Sequence, residues 1–107
     1  MAAAIAEHLR APERYRELLR APSMSLGLYK LPAGGQDPQQ PHAEDEVYYT
    51  LRGRARLRVG EAEQRVEPGS LHFVARDVEH RFHSIAEDLL LLVFFAPPEG
   101  STDEGDA

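Results

Sequence analysis

Cysteine is absent from all 107 residues, so disulfides, thiolate metal ligands and a cysteine nucleophile are excluded, and the absence fits a reducing cytosol. Basic residues are in the minority: 12 Lys and Arg stand against 18 Asp and Glu, a net charge of −6. Phosphate binding needs a basic face, so neither nucleic acid nor an anionic membrane surface is an expected partner. Long hydrophobic runs are missing as well. Leu89–Ala96 is too short to cross a bilayer as a helix. The N-terminal MAAAIAEHLR has no basic region ahead of its apolar residues and does not read as a signal peptide, so the expected location is cytoplasmic. No internal repeat is present, and no alternation of strand with long helix points to a parallel α/β fold. What remains, 42% hydrophobic, is one domain with one core.

Read in order, residues 1–22 form an N-terminal helical segment. Pro12 suits a first helical turn, Tyr15, Leu18 and Leu19 recur at three- and four-residue spacing, and Pro22 stops the helix. Residues 3–9 read equally as a short helix or as an extended arm, with His8 in a loose terminus. From Met24 the period becomes two, and Pro32 ends a strand. Residues 34–41 form a loop rich in Gly, Pro and Gln. Residues 46–52 (EVYYTLR) read as a strand with a turn at Gly53. Residues 54–59 (RARLRV) read as a second, half-buried strand with its arginines in solvent. Further strands follow at 62–67, 71–74, 79–85 and 89–96, with a turn at 86–88. The last is apolar on both faces, so something must cover each face. Seven or eight short strands with turns every eight to twelve residues predict an all-β, antiparallel sandwich or jelly-roll barrel over 23–97. The acidic, apolar-poor segment 98–107 reads as a disordered tail.

The residues able to do chemistry are His42 and Glu46, four apart, and His80, 38 residues later. Two imidazoles and a carboxylate suit a divalent transition metal (iron, manganese, nickel, copper or zinc) and leave coordination positions open for water or substrate. Gln40 shares the parity of His42, and its amide oxygen is a candidate fourth, weaker ligand. His8, His72 and His83 read as structural or surface residues. Glu44 and Asp45 read as solvated loop charges, with Glu44 a stand-in ligand if the backbone bulges. Tyr48 and Thr50 share the parity of Glu46, and Phe82 and Ser84 that of His80. Tyr48, Thr50 and Phe82 therefore line an apolar pocket with a few hydroxyls, unless they simply fill the core. No Lys or Arg falls on these inward parities.

The spacing G-x5-Q-x-H-x3-E-x6-G runs from Gly34 through Gln40, His42 and Glu46 to Gly53, and G-x10-H-x3-S from Gly69 through His80 to Ser84. Together they resemble the two motifs of the cupin superfamily, G-x5-H-x-H-x3,4-E-x6-G and G-x5-P-x-G-x2-H-x3-N. The resemblance covers about residues 24–96. It implies a cupin jelly-roll barrel with a metal held by His42, Glu46 and His80, and Gln40 in the place of the first motif histidine. Ala75, Asp77 and Ser84 replace the Pro, Gly and Asn of the second motif. The resemblance further implies a homodimer and an oxygenase- or isomerase-type reaction on a small organic molecule. The alternative is a non-catalytic small-molecule-binding cupin with weak or no metal.

Overall fold

The glycines and prolines that punctuate the sequence delimit one helix and six antiparallel strands in the computed structural model, which describes residues 1–38 and 41–101. Helix α1 (Ala2–Arg10) resolves the ambiguity over residues 3–9. It ends at Ala11, where the backbone turns extended ahead of Pro12. The Lys30 ammonium reaches the carbonyls of His8 and Ala11 and caps the negative end of the helix.

The helix expected to continue to residue 20 is instead strand β1 (Tyr15–Ala21), which pairs with β2 (Met24–Leu31) across a turn at Pro22. The helical spacing of Tyr15, Leu18 and Leu19 has a local cause. The pairing slips between Glu17 and Leu19, and an inserted residue in a strand mimics a period near 3.6. The remaining strands are β3 (Asp45–Val59), β4 (Ala62–Val66), β5 (Leu71–Val74) and β6 (His80–Ala96). The order is β1-β2-β6-β3-β4, with β5 also on β3.

The turns expected at Gly53 and at 86–88 do not occur. β3 and β6 are single long strands that pair from Asp45↔Ala96 to Val59↔His80, with register shifts between Thr50 and Arg56. They bend rather than end. Gly53 has φ +95°, and a Cβ there would sit 2.3 Å from the Asp88 carbonyl oxygen and 2.8 Å from Leu89 Cα. Only glycine allows the two strands to cross this closely. Each long strand therefore serves both walls of an antiparallel jelly-roll barrel, the all-β fold expected. Tyr48, Leu57, Phe82, Leu89, Leu91 and Val93 fill its interior.

Two substitutions against the second motif have a visible conformational consequence. Asp77 and Ser84, which stand where the motif has Gly and Asn, adopt φ of 63° and 51°. That left-handed region is the one Gly and Asn occupy most easily. The fold keeps the turn geometry with residues less suited to it.

The tail is ordered further than expected. Pro98 is buried, the Glu99 N–H donates to Ser25 Oγ at 2.9 Å, and the Gly100 N–H donates to Glu44 Oε2 at 3.2 Å. Residues 102–107 of the expected tail lie outside the described residues.

Candidate metal centre

Alternation along β3 turns Glu46, Tyr48 and Thr50 into the barrel, and β6 turns in His80 and Phe82. His42 arrives from the loop before β3. That loop is tied down by the turn after β5: the Asp77 N–H donates to the His42 carbonyl at 2.7 Å, and the Arg76 N–H to Asp45 Oδ1 at 2.9 Å.

Glu46 is the centre of the cluster and is 1% exposed. Its Oε2 lies 3.0 Å from His80 Nε2 and its Oε1 3.8 Å from His42 Nε2. The Tyr48 hydroxyl donates to Glu46 Oε1 at 3.1 Å and lies 3.0 Å from His80 Nε2. His80 Nδ1 donates to the Val78 carbonyl at 3.0 Å, which leaves Nε2 to hold a proton or a metal ion toward Glu46. Burial alone lowers the His80 pKa, but the Glu46 carboxylate, the Val78 carbonyl and the more distant Asp37 outweigh it, so the net shift is upward. His42 has about a quarter of its side chain in solvent and meets Phe95 edge-on at 5.4 Å.

Donors around one ion with bonds near 2.1 Å stand roughly 3.0–3.4 Å apart. The Glu46–His80 edge has that spacing, and His42 stands slightly wide of it. As placed, no three His, Asp or Glu side chains among the described residues form a group that would hold a metal ion. Gln40 lies outside the described residues. The donor set suits a transition metal in kind. The buried polar side chains among the described residues include Asp37, Glu44, Glu46 and His80 but no Lys or Arg, an environment that favours a cation.

Several readings change with the tertiary structure. Glu44 is not a solvated loop charge. It is 2% exposed, with Oε1 3.7 Å from His42 Nδ1, because the segment 98–101 folds over it. His8 is not in a loose terminus. It is fully buried between α1 and the barrel and donates from Nε2 to the Arg14 carbonyl at 2.8 Å, and burial lowers its pKa. His72 is buried and paired through Nδ1 with Gln64, its pKa likewise lowered by burial. His83 sits at the surface as expected, 2.8 Å from Glu63. Phe82 packs edge-on against Tyr48 at 4.9 Å as core. Thr50 is 1% exposed and its Oγ1 has no hydrogen-bond partner.

Asp37 escaped the sequence reading. It is 2% exposed and accepts from the Tyr29 hydroxyl at 2.7 Å and from the Phe82 N–H at 3.0 Å, pinning the loop to β2 and β6. Burial and then the Asp37 carboxylate push the Tyr29 hydroxyl far above its ordinary range. The parity of Tyr29 with Leu31 was the available signal. Nothing in an Asp-Pro loop announces that the Asp is buried. A surface cleft of about 720 Å³ beside α1, lined by Leu9, Arg14, Lys30, Arg52 and Asp88 among others, includes none of the candidate ligands.

A barrel of this topology, with an imidazole–carboxylate cluster at the head of β3 and β6, defines a class, and the cupin domain model matches residues 27–95. The chain belongs to the cupin family. It is 51% identical over 85 residues to the uncharacterized protein SCO3923 of Streptomyces coelicolor, covering 79% of this chain and 81% of that one. Among solved structures it resembles TT1209 of Thermus thermophilus, with 33% identity, a TM-score of 0.69, and coverage of 82% of this chain and 88% of that chain. It also resembles the DMSP lyase DddQ of Ruegeria pomeroyi, with 22% identity, a TM-score of 0.69, and coverage of 78% and 47%. That last likeness shows the fold alone.

Proposed function

We propose that this cupin binds one divalent transition metal through His42, Glu46 and His80, with Gln40 as the fourth candidate donor, and acts on a small organic molecule. The observation that carries this reading is the buried Glu46 carboxylate standing between two imidazoles, 3.0 Å from one and 3.8 Å from the other. A bound metal would supply Lewis-acid or oxygen chemistry of the oxygenase or isomerase type. The chain's own groups do the rest. Tyr48 holds a proton within reach of both Glu46 and His80, and is the candidate donor to a bound substrate. Phe82, Val93 and Phe95 keep the inner side of the site dry. Among the described residues the interior offers no Lys or Arg, so an anionic substrate would find its cation in the metal. A neutral organic molecule suits the site at least as well. DddQ, a lyase by its name, is one example of an enzyme on this fold.

A second reading has its own support. Tyr48, Glu46 and His80 satisfy one another without a metal, which is what a metal-free binding barrel would need. Elemental analysis of untagged protein separates the two readings. Near-stoichiometric metal in the wild type and none in a His42→Ala/His80→Ala variant is the expected result, and the element found narrows the reaction. No metal in either, even after incubation with iron, manganese, nickel and zinc, would leave the binding barrel as the better account.

A further inference from the structure

The cleft beside α1 carries a charge opposite to that of the chain. It encloses about 720 Å³, the size of a small-molecule pocket, and neither His42, Glu46 nor His80 lines it. Its charged walls are Arg14, Lys30, Arg52 and Asp88, three cations and one carboxylate, in a chain of net charge −6.

Strand register brings the cations together. Leu90 of β6 pairs with Lys30 of β2 on one side and with Arg52 of β3 on the other. Arg14 lies beside Lys30, on the side away from Leu90, where its carbonyl accepts from the Lys30 N–H at 2.9 Å. Leu89 and Leu91 belong to the barrel core, so alternation turns Leu90 outward between Lys30 and Arg52. Leu90 is 1% exposed and forms an apolar floor, and Leu9 of α1, 44% exposed, adds an apolar wall. At about 4.8 Å per strand, the Arg14 and Arg52 backbones stand about 14 Å apart. Two arginine side chains can close that gap on one ligand between them.

The arginines of this cleft lack counter-charges. Lys30 is committed to the carbonyls at the end of α1. Arg14 and Arg52 form no ion pair among the described residues, whereas Arg54 and Arg56 on the other wall each face a carboxylate. The acids nearest in sequence are taken: Glu13 by Arg16 at 3.0 Å and Glu87 by Arg54 at 3.8 Å. Asp88 accepts from the Ala33 N–H at 2.8 Å and pairs with neither arginine. Like charges in one row of a sheet repel, and an anion between them removes the repulsion.

We propose that this cleft binds a small organic carboxylate, its charged end held by Arg14 and Arg52 and its hydrocarbon body laid on Leu90 and Leu9. The guanidinium fork matches a planar carboxylate with two parallel hydrogen bonds. An inorganic anion would leave the floor uncovered, and a neutral hydrocarbon would leave the cations unmatched. The site uses no candidate metal ligand, so it stands or falls separately from the function proposed above.

Isothermal titration calorimetry of the full chain with sodium decanoate tests it, and one saturable site per chain is expected. Arg14→Gln and Arg52→Gln should each weaken binding about tenfold or more, since each removes a charged hydrogen-bonding partner. Acetate and inorganic phosphate, which lack the hydrocarbon, should bind at least about tenfold more weakly than decanoate. The His42→Ala/His80→Ala variant should bind decanoate as the wild type does, which separates this site from a carboxylate resting on the metal. Arg56→Gln, on the other wall, should leave binding unchanged. Amide shifts of the wild type should move at 30–33, 52 and 88–90, and this map decides the matter if an arginine variant does not fold. A wild type with no saturable binding at millimolar decanoate would overturn the proposal. So would a folded Arg14→Gln/Arg52→Gln variant that binds as tightly as the wild type, phosphate binding as tight as that of decanoate, or shifts confined to 42–48 and 80.

Discussion

The same two strands build two unlike outer walls. In its first half β3 carries Val47 and Tyr49 outward, against Phe94 and Leu92 of β6. In its second half it carries Arg54, Arg56 and Arg58 outward, against Glu87, His83 and Arg81. Exposed ion pairs lace the charged wall: Arg54 with Glu67 at 3.2 Å and Glu87 at 3.8 Å, and Arg56 with Glu63 at 4.0 Å. Such pairs contribute little, roughly 0–1 kcal/mol each. Their effect is to keep that wall solvated and unsociable, while the apolar wall is covered partly by α1 and partly left open. The hinge between the walls is Gly53 against Asp88 and Leu89. One strand with a change of pattern halfway thus yields an apolar face and a face for water.

The largest break in this comparison is at the hinge. Gly53→Ala should destabilise the fold by about 3 kcal/mol or more, because the new Cβ meets backbone atoms 2.3 and 2.8 Å away at a φ that side chains rarely adopt. Urea denaturation measures this, and a cost below that of an ordinary surface substitution would show that the strands do not need their close crossing. Inside the apolar half, Tyr48→Phe should cost about 1–2 kcal/mol by removing the hydroxyl shared by Glu46 and His80. If the variant also turns over substrate at the wild-type rate, Tyr48 has no proton-transfer role.

Acid should weaken the fold through two buried histidines. His8 under α1 and His72 inside the barrel both have pKa values lowered by burial. The unfolded chain therefore binds protons more readily at these positions. Their contribution is fully present above the unfolded histidine pKa of about 6.5 and is lost as pH falls through the folded values, with a slope of at most about 1.4 kcal/mol per pH unit for each. Thermal melts of His8→Gln and His72→Gln should show a flatter decline below that pH than the wild type.

Smaller again, Asp77→Gly and Ser84→Asn should each stabilise by about 0.5–1 kcal/mol, since they restore residues suited to the left-handed backbone found at both positions. Asp77→Gly should keep the bond to the His42 carbonyl, because that bond is made by the backbone N–H. The smallest effect belongs to the charged wall. Arg56→Ala should change stability by under about 0.5 kcal/mol, in low or high salt.

Much of the barrel was legible residue by residue. The alternation of Ala55, Leu57 and Val59 with three arginines is a pattern that only a half-buried strand produces, and the structure places it so. His42, Glu46 and His80 were legible as a set because their types and spacing are chemical facts of the chain, and the fold brings them into one cluster. β1 was not legible, because a bulge shifted its apolar residues to a helical spacing. Gly53 read as a turn for a similar reason: glycine signals an unusual backbone or a close approach, and sequence does not say which. Asp37 and Glu44 are both acidic loop residues beside other polar ones. Their burial comes from segments remote in sequence, the Phe82 backbone and the Gly100 backbone.

Strand periodicity, the absence of thiol chemistry, the inward donors and the double apolarity of Leu89–Ala96 can all be read from the chain alone. These are local properties, carried by residue type and by a period of two. It takes the folded chain to show that β3 and β6 run unbroken through the hinge, that the loop is pinned by Asp37, and that α1 covers one part of the apolar wall and leaves another open. Strand pairing and coverage join residues far apart in the chain, and no local pattern specifies which distant segment will take a given face.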